Sequence, residues 1–187
     1  MNQLCIRVFD IVFSIIGLIV SLPVLCLLLI VGWFYTRSPV FRQRRVGRDQ
    51  KSFTLVKFRT MRKDTAHVAT HLAAESSVTP FGRFLRRTKM DELPQLWNVL
   101  KGDMSLVGPR PCLETQHELI EERSKRNVFS VRPGITGLAQ VNDIDMSTPE
   151  LLAETDAKMI ASFSVKQYFY LIFLTLTGKG AGDRIRK

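Results

Sequence analysis

The most prominent feature of the hydrophobic pattern is an apolar run near the N-terminus. No residue from Ile11 to Tyr35 is charged, and as a helix these 25 residues would cross a hydrocarbon core of about 30 Å. The run exceeds the apolar region of a signal peptide, about 7–15 residues, and no small-residue cleavage site closes it. We therefore expect residues 1–36 to be inserted in a membrane and residues 37–187 to form the rest of one functional unit.

Pro23 lies near the centre of this apolar run and leaves two topologies open. A proline removes a backbone hydrogen bond and clashes with the preceding turn, so we expect a kink there. Transmembrane helices tolerate such a kink, which permits a complete span. The alternative is a helix that bends at Pro23 and leaves by the face it entered. The positive-inside rule places the basic stretch after Arg37 in the cytoplasm. These physical arguments alone support the spanning and the re-entrant topology equally.

Beyond the apolar run, short periodic patterns predict strands and helices. "SFTLVKFRTM" alternates apolar and polar residues, which is typical of a strand, and "TPFGRFLRRTKM" has the apolar spacing of a helix. A second, amphipathic helix is predicted by apolar residues at i, i+3, i+4 and i+7, namely Leu93, Leu96, Trp97 and Leu100. Pro94 is tolerated only in a first turn, so this helix is expected to begin near Asp91 and to end near Gly102.

The C-terminal third is predicted to begin a further helix after Ser147 or Thr148, because Pro149 suits the first helical position. The apolar segment Tyr168–Thr177 is too short to span a bilayer and is expected to lie in the interface or to pack on the core. Two other segments are expected at the surface. They are "HVATHLAAESSVTP", whose histidines we interpret as solvated, and the basic tail "KGAGDRIRK", which we expect to contact the membrane.

Composition adds a strong positive charge to this picture. The 187 residues carry a formal net charge of +10, most of it after the apolar run. Contact with anionic lipid accounts for many of these cations, at about 1 kcal/mol each. Nucleic-acid binding would also fit the charge, but aromatic side chains that could stack on bases are sparse there, so we expect no nucleic-acid partner. The three cysteines show no C-x-x-C spacing, which agrees with a reducing cytoplasmic side.

Two adjacent carboxylates, Asp91 and Glu92, follow closely on the basic residues Arg86, Arg87 and Lys89. At a helix start, such acids ordinarily cap free amides and complement the helix dipole. The same position also suits a reactive aspartate, because nearby arginines keep it ionised and a second carboxylate helps to bind a divalent cation. An ionised aspartate can attack phosphorus where metal and arginine neutralise the charge.

The sequence "SLVGPRP" contains an arginine whose backbone is restricted by neighbouring prolines. Arg110 lies between Pro109 and Pro111, and both prolines restrict the backbone. An arginine held in this way loses little side-chain freedom when it binds a phosphate or a nucleotide. We therefore include this turn among the candidates for substrate binding.

Four blocks, "PVFRQRRVG", "VKFRTM", "TPFGRFLRRTKMDELPQLWNVLKGDMSLVGPRP" and "VRPGITGLAQV", resemble the bacterial sugar transferase family, the monotopic phosphoglycosyl transferases. The resemblance covers about residues 4 to 142. It implies transfer of a sugar 1-phosphate from a UDP-sugar to undecaprenyl phosphate, with release of UMP. This reaction opens the assembly of surface glycoconjugates on the cytoplasmic face of the bacterial inner membrane, so the implied partners are the UDP-sugar, the lipid phosphate and inner-membrane lipid.

The resemblance also implies roles for individual residues. Asp91 attacks the sugar-bearing phosphate and forms a covalent intermediate, Glu92 assists at the metal or in proton handling, and Mg²⁺ is bound by this Asp-Glu dyad. Arg110 matches the position that helps to hold the nucleotide, and Arg86 is our candidate for a phosphate clamp. The other substrate-binding candidates lie in the same motifs: Lys57, Arg59, Pro109, Pro111, Arg132 and Gln140.

Fold and topology are further expectations from the family. Its N-terminal helix is re-entrant and broken at a Ser-Pro pair, which matches Pro23, although Leu22 stands where serine is usual. We therefore expect a helix-dominated α/β fold. It would comprise an N-terminal re-entrant membrane helix hairpin broken near Pro23, interfacial amphipathic helices and a small irregular sheet. Residues 142–160 depart from the family pattern around Asp156, so the identity of the sugar stays open. A homo-oligomer is also possible, because the sequence does not determine the oligomeric state.

Overall fold

The computed structural model describes residues 3–63, 65 and 77–180. Within these ranges the helices are α1 (Gln3–Thr36), α2 (Pro80–Thr88), α3 (Gln95–Lys101), α4 (His117–Lys125), α5 (Leu138–Val141), α6 (Pro149–Ala161) and α7 (Val165–Leu176). The strands are β1 (Val40–Val46), β2 (Ser52–Phe58), β3 (Ser105–Val107) and β4 (Gly134–Thr136). Of the predicted surface loop at 67–80, residues 67–76 lie outside the described residues, as does the basic tail beyond residue 180.

The strands form two small sheets. β1 and β2 pair as an antiparallel hairpin, from Val40 opposite Phe58 to Val46 opposite Ser52. β3 and β4 pair in parallel, with Ser105 opposite Gly134. The alternating segment that predicted a strand is β2, so that prediction is confirmed. The expected helix-dominated fold with a small sheet is also confirmed.

α1 is a single helix of 34 residues, and Pro23 lies inside it. Its length, about 50 Å at 1.5 Å per residue, and its apolar composition are sufficient to cross a membrane. Because Pro23 does not divide the helix into two elements, the hairpin that we expected is not visible as a break in secondary structure. The re-entrant topology therefore stays a prediction, as does the interfacial position of the other helices.

The N-terminal turns of α1 pack against the rest of the fold through a buried polar cluster. Asp10 is buried, and its Oδ1 accepts hydrogen bonds from Ser105 Oγ at 3.0 Å, from the Leu106 amide at 2.9 Å and from the Tyr168 hydroxyl at 2.9 Å. Each donor satisfies part of the carboxylate that would otherwise be costly to bury. The cluster thus ties α1 to β3 and α7.

The C-terminal turns of α1 pack against a different part of the same fold. Leu28 is buried with Phe58 of β2 and Leu85 of α2. Between the two contact regions the helix leaves large apolar side chains exposed, among them Ile19, Val20 and Leu22. Both ends of α1 are therefore held by the folded part, while its middle presents apolar surface.

The start of α3 differs from the prediction. A 3₁₀ turn occupies Met90–Glu92, and α3 begins at Gln95 with Pro94 at the N-cap position. Pro94 has no amide hydrogen to donate, and the chain here makes tighter i to i−3 bonds, such as Leu93 N to Met90 O at 3.3 Å. The expectation that α3 begins near Asp91 is therefore wrong, because the α-helix begins four residues later, at Gln95. The end of α3 is as predicted, with Gly102 in the left-handed conformation at φ 96°.

The C-terminal helices agree with the sequence patterns. α6 begins at Pro149 after Thr148, as expected. In α7, Tyr168 and Leu171 are fully buried, whereas Phe173 and Leu176 are exposed. The helix therefore packs one face on the core, which is one of the two placements expected for this apolar segment.

Candidate active site

The two adjacent carboxylates lie in the short 3₁₀ turn between α2 and α3. Lys89 ends α2 in the left-handed conformation, with φ 56°, and this reversal leads the chain into Met90–Glu92. Asp91 is buried, with 6% of its surface exposed, and Glu92 is half-buried. Two carboxylates in one turn concentrate negative charge, so they need cations close by.

Arg110 forms an ion pair with this dyad. Its Nη2 lies 3.0 Å from Glu92 Oε1. The backbone around it is fixed on both sides, since Pro109 O accepts from the Gly134 amide at 2.9 Å and Pro111 O accepts from Arg45 Nη1 at 3.0 Å. The parallel pairing of β3 with β4 therefore carries the Pro-Arg-Pro element to the dyad.

Three cations line one narrow crevice beside the dyad. Arg45, Lys57 and Arg110 share it with Pro111 and Gln95, and its volume is about 10 Å³, close to the minimum for one water. Arg45 and Lys57 are each 8% exposed. A group of cations beside the dyad favours an anionic ligand, because it raises the local electrostatic potential.

Two further candidates, Arg86 and Arg59, lie around Thr60 at the end of β2. Arg86 Nε donates to Thr60 Oγ1 at 3.0 Å, while its Nη1 is buried without a hydrogen-bond partner in the described part of the chain. Arg59 Nε donates to Ser38 O at 2.9 Å, its guanidinium lies 5.2 Å from the centre of the Phe41 ring, and burial lowers its pKa. Arg86 thus has a donor available for a ligand, whereas Arg59 holds the link between α1 and β1.

The structure does not bring Arg132 into the crevice beside the dyad. Arg132 Nε donates to Gly102 O at 2.9 Å, and the side chain lines a separate cavity together with Arg7 and Arg48. Its pKa is lowered by burial and by the charges of those two arginines. The structure thus places Arg132 away from the dyad crevice, and its role in substrate binding stays a prediction.

Gln140 presents an unused carboxamide. Both its Oε1 and its Nε2 are buried without a hydrogen-bond partner among the described residues. The carboxamide lies against Gly137, where a Cβ would come within 2.7 Å of Oε1 and 2.4 Å of Gly108 O. Buried polar atoms are ordinarily satisfied, so this group is a candidate for a ligand contact close to the Pro-Arg-Pro element.

Sequence reasoning missed Lys89 as a member of the site. Glu92, Arg110 and Asp143 are its charged neighbours, and burial lowers its pKa. Its Nζ donates to Lys179 O at 2.6 Å, which brings the end of the described chain to the dyad. The only available signal was its position two residues before Asp91. Arg45 was likewise missed, because in the sequence it is one of several cations in a basic stretch.

A buried ion pair between Arg123 and Asp156 holds the backbone of Arg110. Arg123 Nε and Nη2 donate to Asp156 Oδ2 at 3.0 Å and 2.7 Å, and Arg123 Nη1 donates to the carbonyl of Arg110 at 2.8 Å. Both side chains of the pair are almost completely buried. Burial raises the pKa of Asp156, and the charge of Arg123 opposes this shift. Asp156 therefore acts on the site through the backbone of Arg110.

The two carboxylates of the dyad suit a Mg²⁺ ion that binds together with the substrate better than one that the protein holds alone. The described residues contain no cluster of three or more His, Cys, Asp or Glu side chains that could hold a metal ion. Asp91 and Glu92 together supply oxygen ligands, although Glu92 is also paired with Arg110. Mg²⁺ commonly takes one or two carboxylates and completes its shell with water and substrate phosphates. The dyad therefore fits a Mg²⁺ that is bound together with a diphosphate.

Comparison with known proteins places these features in a family context. The bacterial sugar transferase family matches residues 1–179. Galactosyl transferase CpsE of Streptococcus agalactiae is 35% identical over 185 residues. The uncharacterized sugar transferase EpsL of Bacillus subtilis is 39% identical over 171 residues. The UDP-glucose:undecaprenyl-phosphate glucose-1-phosphate transferase of Escherichia coli is 40% identical over 187 residues.

These matches cover most of the chain but differing shares of the relatives. They include 91% of this chain for CpsE and EpsL and 94% for the Escherichia coli enzyme. The chain spans only 41% of CpsE and 40% of the Escherichia coli enzyme, but 84% of EpsL.

Proposed function

Because the chain belongs to the bacterial sugar transferase family, we propose that it transfers a sugar 1-phosphate from a UDP-sugar to undecaprenyl phosphate and releases UMP. The observation that carries the proposal is the dyad itself, in which a buried aspartate and a glutamate paired with Arg110 lie beside a crevice of three cations. The names of relatives from Escherichia coli and Salmonella typhimurium specify undecaprenyl phosphate as the acceptor in those proteins. The product would begin the assembly of a surface glycoconjugate.

The reaction proceeds in two steps through Asp91. In the first, a carboxylate oxygen of Asp91 forms a bond to the phosphorus that bears the sugar, the bond from that phosphorus to the bridging oxygen breaks, and UMP leaves with the electron pair. In the second, an oxygen of the lipid phosphate attacks the same phosphorus and the bond to Asp91 breaks. Two steps keep the two phosphate-bearing substrates from having to react with each other directly.

The surrounding cations would hold the anionic groups during both steps. Arg110, fixed by its prolines, would bind a diphosphate that lies outside the narrow crevice, and Lys57 and Arg45 would add positive charge from within it. Arg86 offers Nη1, which has no hydrogen-bond partner among the described residues, as a further donor. Asp91 and Glu92 would hold Mg²⁺, which when bound would offset charge on the diphosphate.

We also propose that α1 is re-entrant and that the catalytic part lies on the cytoplasmic face of the inner membrane. Near one end of α1, Asp10 is bonded to Ser105 and Tyr168; near the other, Leu28 is buried with Phe58. A helix that crosses the bilayer would place its two ends on opposite sides, where one compact fold could not hold both. The exposed apolar middle of α1 would then enter the bilayer from one face.

The first experiment measures UMP release from a panel of UDP-sugars by the purified chain with undecaprenyl phosphate and Mg²⁺. We expect release with at least one sugar, and its loss in Asp91→Asn. The matched control is Asp49→Asn, since Asp49 is exposed and its φ of 54° is one that asparagine adopts readily. Full release by folded Asp91→Asn would exclude Asp91 as the nucleophile. Absence of release with every sugar would contradict the proposed reaction.

A second experiment tests the covalent step. Without lipid acceptor, a two-step enzyme releases UMP in an amount equal to the enzyme present and then stops, whereas direct transfer releases none. The same sample should gain the mass of one phosphosugar, and peptide mapping should locate it on Asp91. A burst that is absent, while full turnover proceeds with acceptor, would refute the covalent intermediate.

A third experiment tests the topology of α1 by labelling with a membrane-impermeant maleimide. Gln3→Cys is introduced after Cys5 and Cys26 are changed to serine, and Arg42→Cys on exposed β1 serves as the cytoplasmic control. A re-entrant helix predicts that intact spheroplasts leave both positions unlabelled and that lysis exposes both. Labelling of the Gln3 position in intact spheroplasts would show that α1 spans the membrane.

A further inference from the structure

A second, larger cavity lies away from the dyad, where the N-terminal turns of α1 meet β3 and the end of α6. Its volume is about 300 Å³, within the range of small-molecule sites. Three arginines line it, Arg7, Arg48 and Arg132, and apolar side chains such as Met159 and Phe163 complete the wall. None of its lining residues belongs to the crevice of Arg45, Lys57 and Arg110.

The arginines of this cavity are held in place by neutral groups. Arg7 donates to the carbonyls of Val99 and Leu100 at 2.6 Å and 2.9 Å, and Arg132 donates to the carbonyl of Gly102 at 2.9 Å. These bonds orient the guanidinium groups without neutralising them. Within residues 3–63, 65 and 77–180, neither Arg7 nor Arg132 lies within ion-pairing distance of a carboxylate.

The remaining charges leave a positive excess. Arg48 pairs at 3.3 Å with its neighbour Asp49, and both side chains are substantially exposed, so solvent screens this pair. Among the described residues that line the cavity, Asp10 is the one carboxylate, and its Oδ1 already accepts three hydrogen bonds. The cavity is therefore lined by three arginines and by one carboxylate that is already hydrogen-bonded. An anion in the cavity would relieve their repulsion, which also contributes to the lowered pKa of Arg132.

We propose that this cavity binds a phosphate-bearing anion, with the phosphate at Arg48 and Arg132 and an attached apolar or glycerol portion along Met159 and Phe163. Arginine suits phosphate because its planar guanidinium offers paired donors. The phosphate belongs either to an anionic phospholipid headgroup or to a soluble phosphate compound. The cavity is separate from the dyad crevice, because the two share no lining residue.

The test compares two kinds of probe on the full chain in phosphatidylcholine nanodiscs. Inorganic phosphate and glycerol 3-phosphate are titrated by calorimetry, and separately phosphatidylglycerol replaces part of the phosphatidylcholine while the thermal midpoint is followed. Arg48→Gln is the test variant. Arg44→Gln is the matched control, since Arg44 is also an exposed arginine in an ion pair, with Glu114 at 3.2 Å, but does not line the cavity. Arg110→Gln removes one of the three cations of the dyad crevice.

We expect saturable binding of at least one probe. Arg48→Gln should lower the affinity roughly fivefold, because Arg48 is a single half-exposed cation, and Arg48→Glu should lower it further. Arg44→Gln and Arg110→Gln should leave it unchanged. Dependence on Arg48 for the soluble probes would assign a soluble ligand, and dependence only for phosphatidylglycerol would assign a lipid headgroup. Equal effects of Arg48→Gln and Arg44→Gln with every probe would overturn the proposal, as would loss of all binding in Arg110→Gln. UMP release depends on Asp91 and is measured separately, so the two proposals can fail independently.

Discussion

Removal of either partner from the buried Arg123–Asp156 pair should destabilise the fold strongly. In Arg123→Met the two hydrogen bonds to Asp156 Oδ2, at 3.0 Å and 2.7 Å, are lost, and the carboxylate stays in a site without solvent access. In Asp156→Leu the guanidinium is left without its counter-charge. Breaking such a pair typically costs about 3–5 kcal/mol. For a protein of this size, that corresponds to a fall in thermal midpoint of roughly 6–20 °C.

The double variant Arg123→Met/Asp156→Leu separates the charge from the positioning role. Replacing both ions of a buried pair by apolar side chains is often nearly neutral, so most of the lost stability should return. The carbonyl of Arg110 would still lack the donor that Arg123 Nη1 supplies at 2.8 Å, which leaves a deficit of roughly 1–3 kcal/mol. We therefore expect a stable double variant whose UMP release remains impaired, because Arg110 has lost its backbone support.

The assay is thermal unfolding of the four proteins in one detergent, alongside their rates of UMP release. A single-variant loss below about 1 kcal/mol would show that the pair is not buried as described. A double variant as unstable as the sum of the two single variants would refute the argument that unpaired charge is the cause. A double variant with full activity would refute the positioning of Arg110 by Arg123.

Three further predictions concern the pH dependence of this pair, the side chain of Arg110 and the packing of Gly82. In Arg123→Met the stability deficit should be smaller at pH 5 than at pH 8. Burial raises the pKa of Asp156, and the variant lacks the Arg123 charge that opposes this shift, so the folded variant favours the protonated acid and loses stability as pH rises through its folded-state pKa. Arg110→Lys should slow UMP release about 10–100-fold, because a lysine cannot reproduce the forked donors toward a diphosphate. Gly82→Ala should lower the thermal midpoint by about 4 °C or more, because its Cβ would lie 2.0 Å from the carbonyl oxygen of Thr60.

Controls for these three measurements come from the same chain. For the pH series, Glu114→Gln removes an exposed carboxylate and should show no comparable dependence. For Arg110→Lys, the substitution Arg44→Lys makes the same change at an exposed ion pair, and equal activity of both variants would contradict the role of Arg110. For Gly82→Ala, the milder change is Gly17→Ala, where only the end of the Leu96 side chain, 3.0 Å away, has to move. Equal destabilisation by both would contradict the close approach of Thr60.

The sequence by itself determined the elements whose signal is local. The apolar run predicted α1, the alternation of period two predicted β2, and Gly102 correctly marked the end of α3. Each of these depends on residues a few positions apart, through side-chain spacing or one backbone conformation. The continuous motif around Asp91 and Arg110 likewise indicated the family, because its information is the order of residues along the chain.

Only the tertiary structure decided which distant residues meet. Asp10 and Tyr168 are 158 positions apart, and no period in the sequence pairs them. Arg123 and Asp156 could each be read as a surface charge until packing of α4 on α6 buried them together. Local pattern also misplaced the start of α3, where Pro94 imposes a tighter turn than an α-helix.

The same limit explains the cations. A basic residue has the same local pattern whether it faces lipid, substrate or another protein group, so the sequence could not separate Arg45 at the dyad crevice from Arg132 in the second cavity. Their placement depends on strand pairing, since β1 directs Arg45 to Pro111 whereas Arg132, which precedes β4, bonds to Gly102. The sequence determines which residues are charged, whereas the tertiary structure determines which groups each charged side chain contacts.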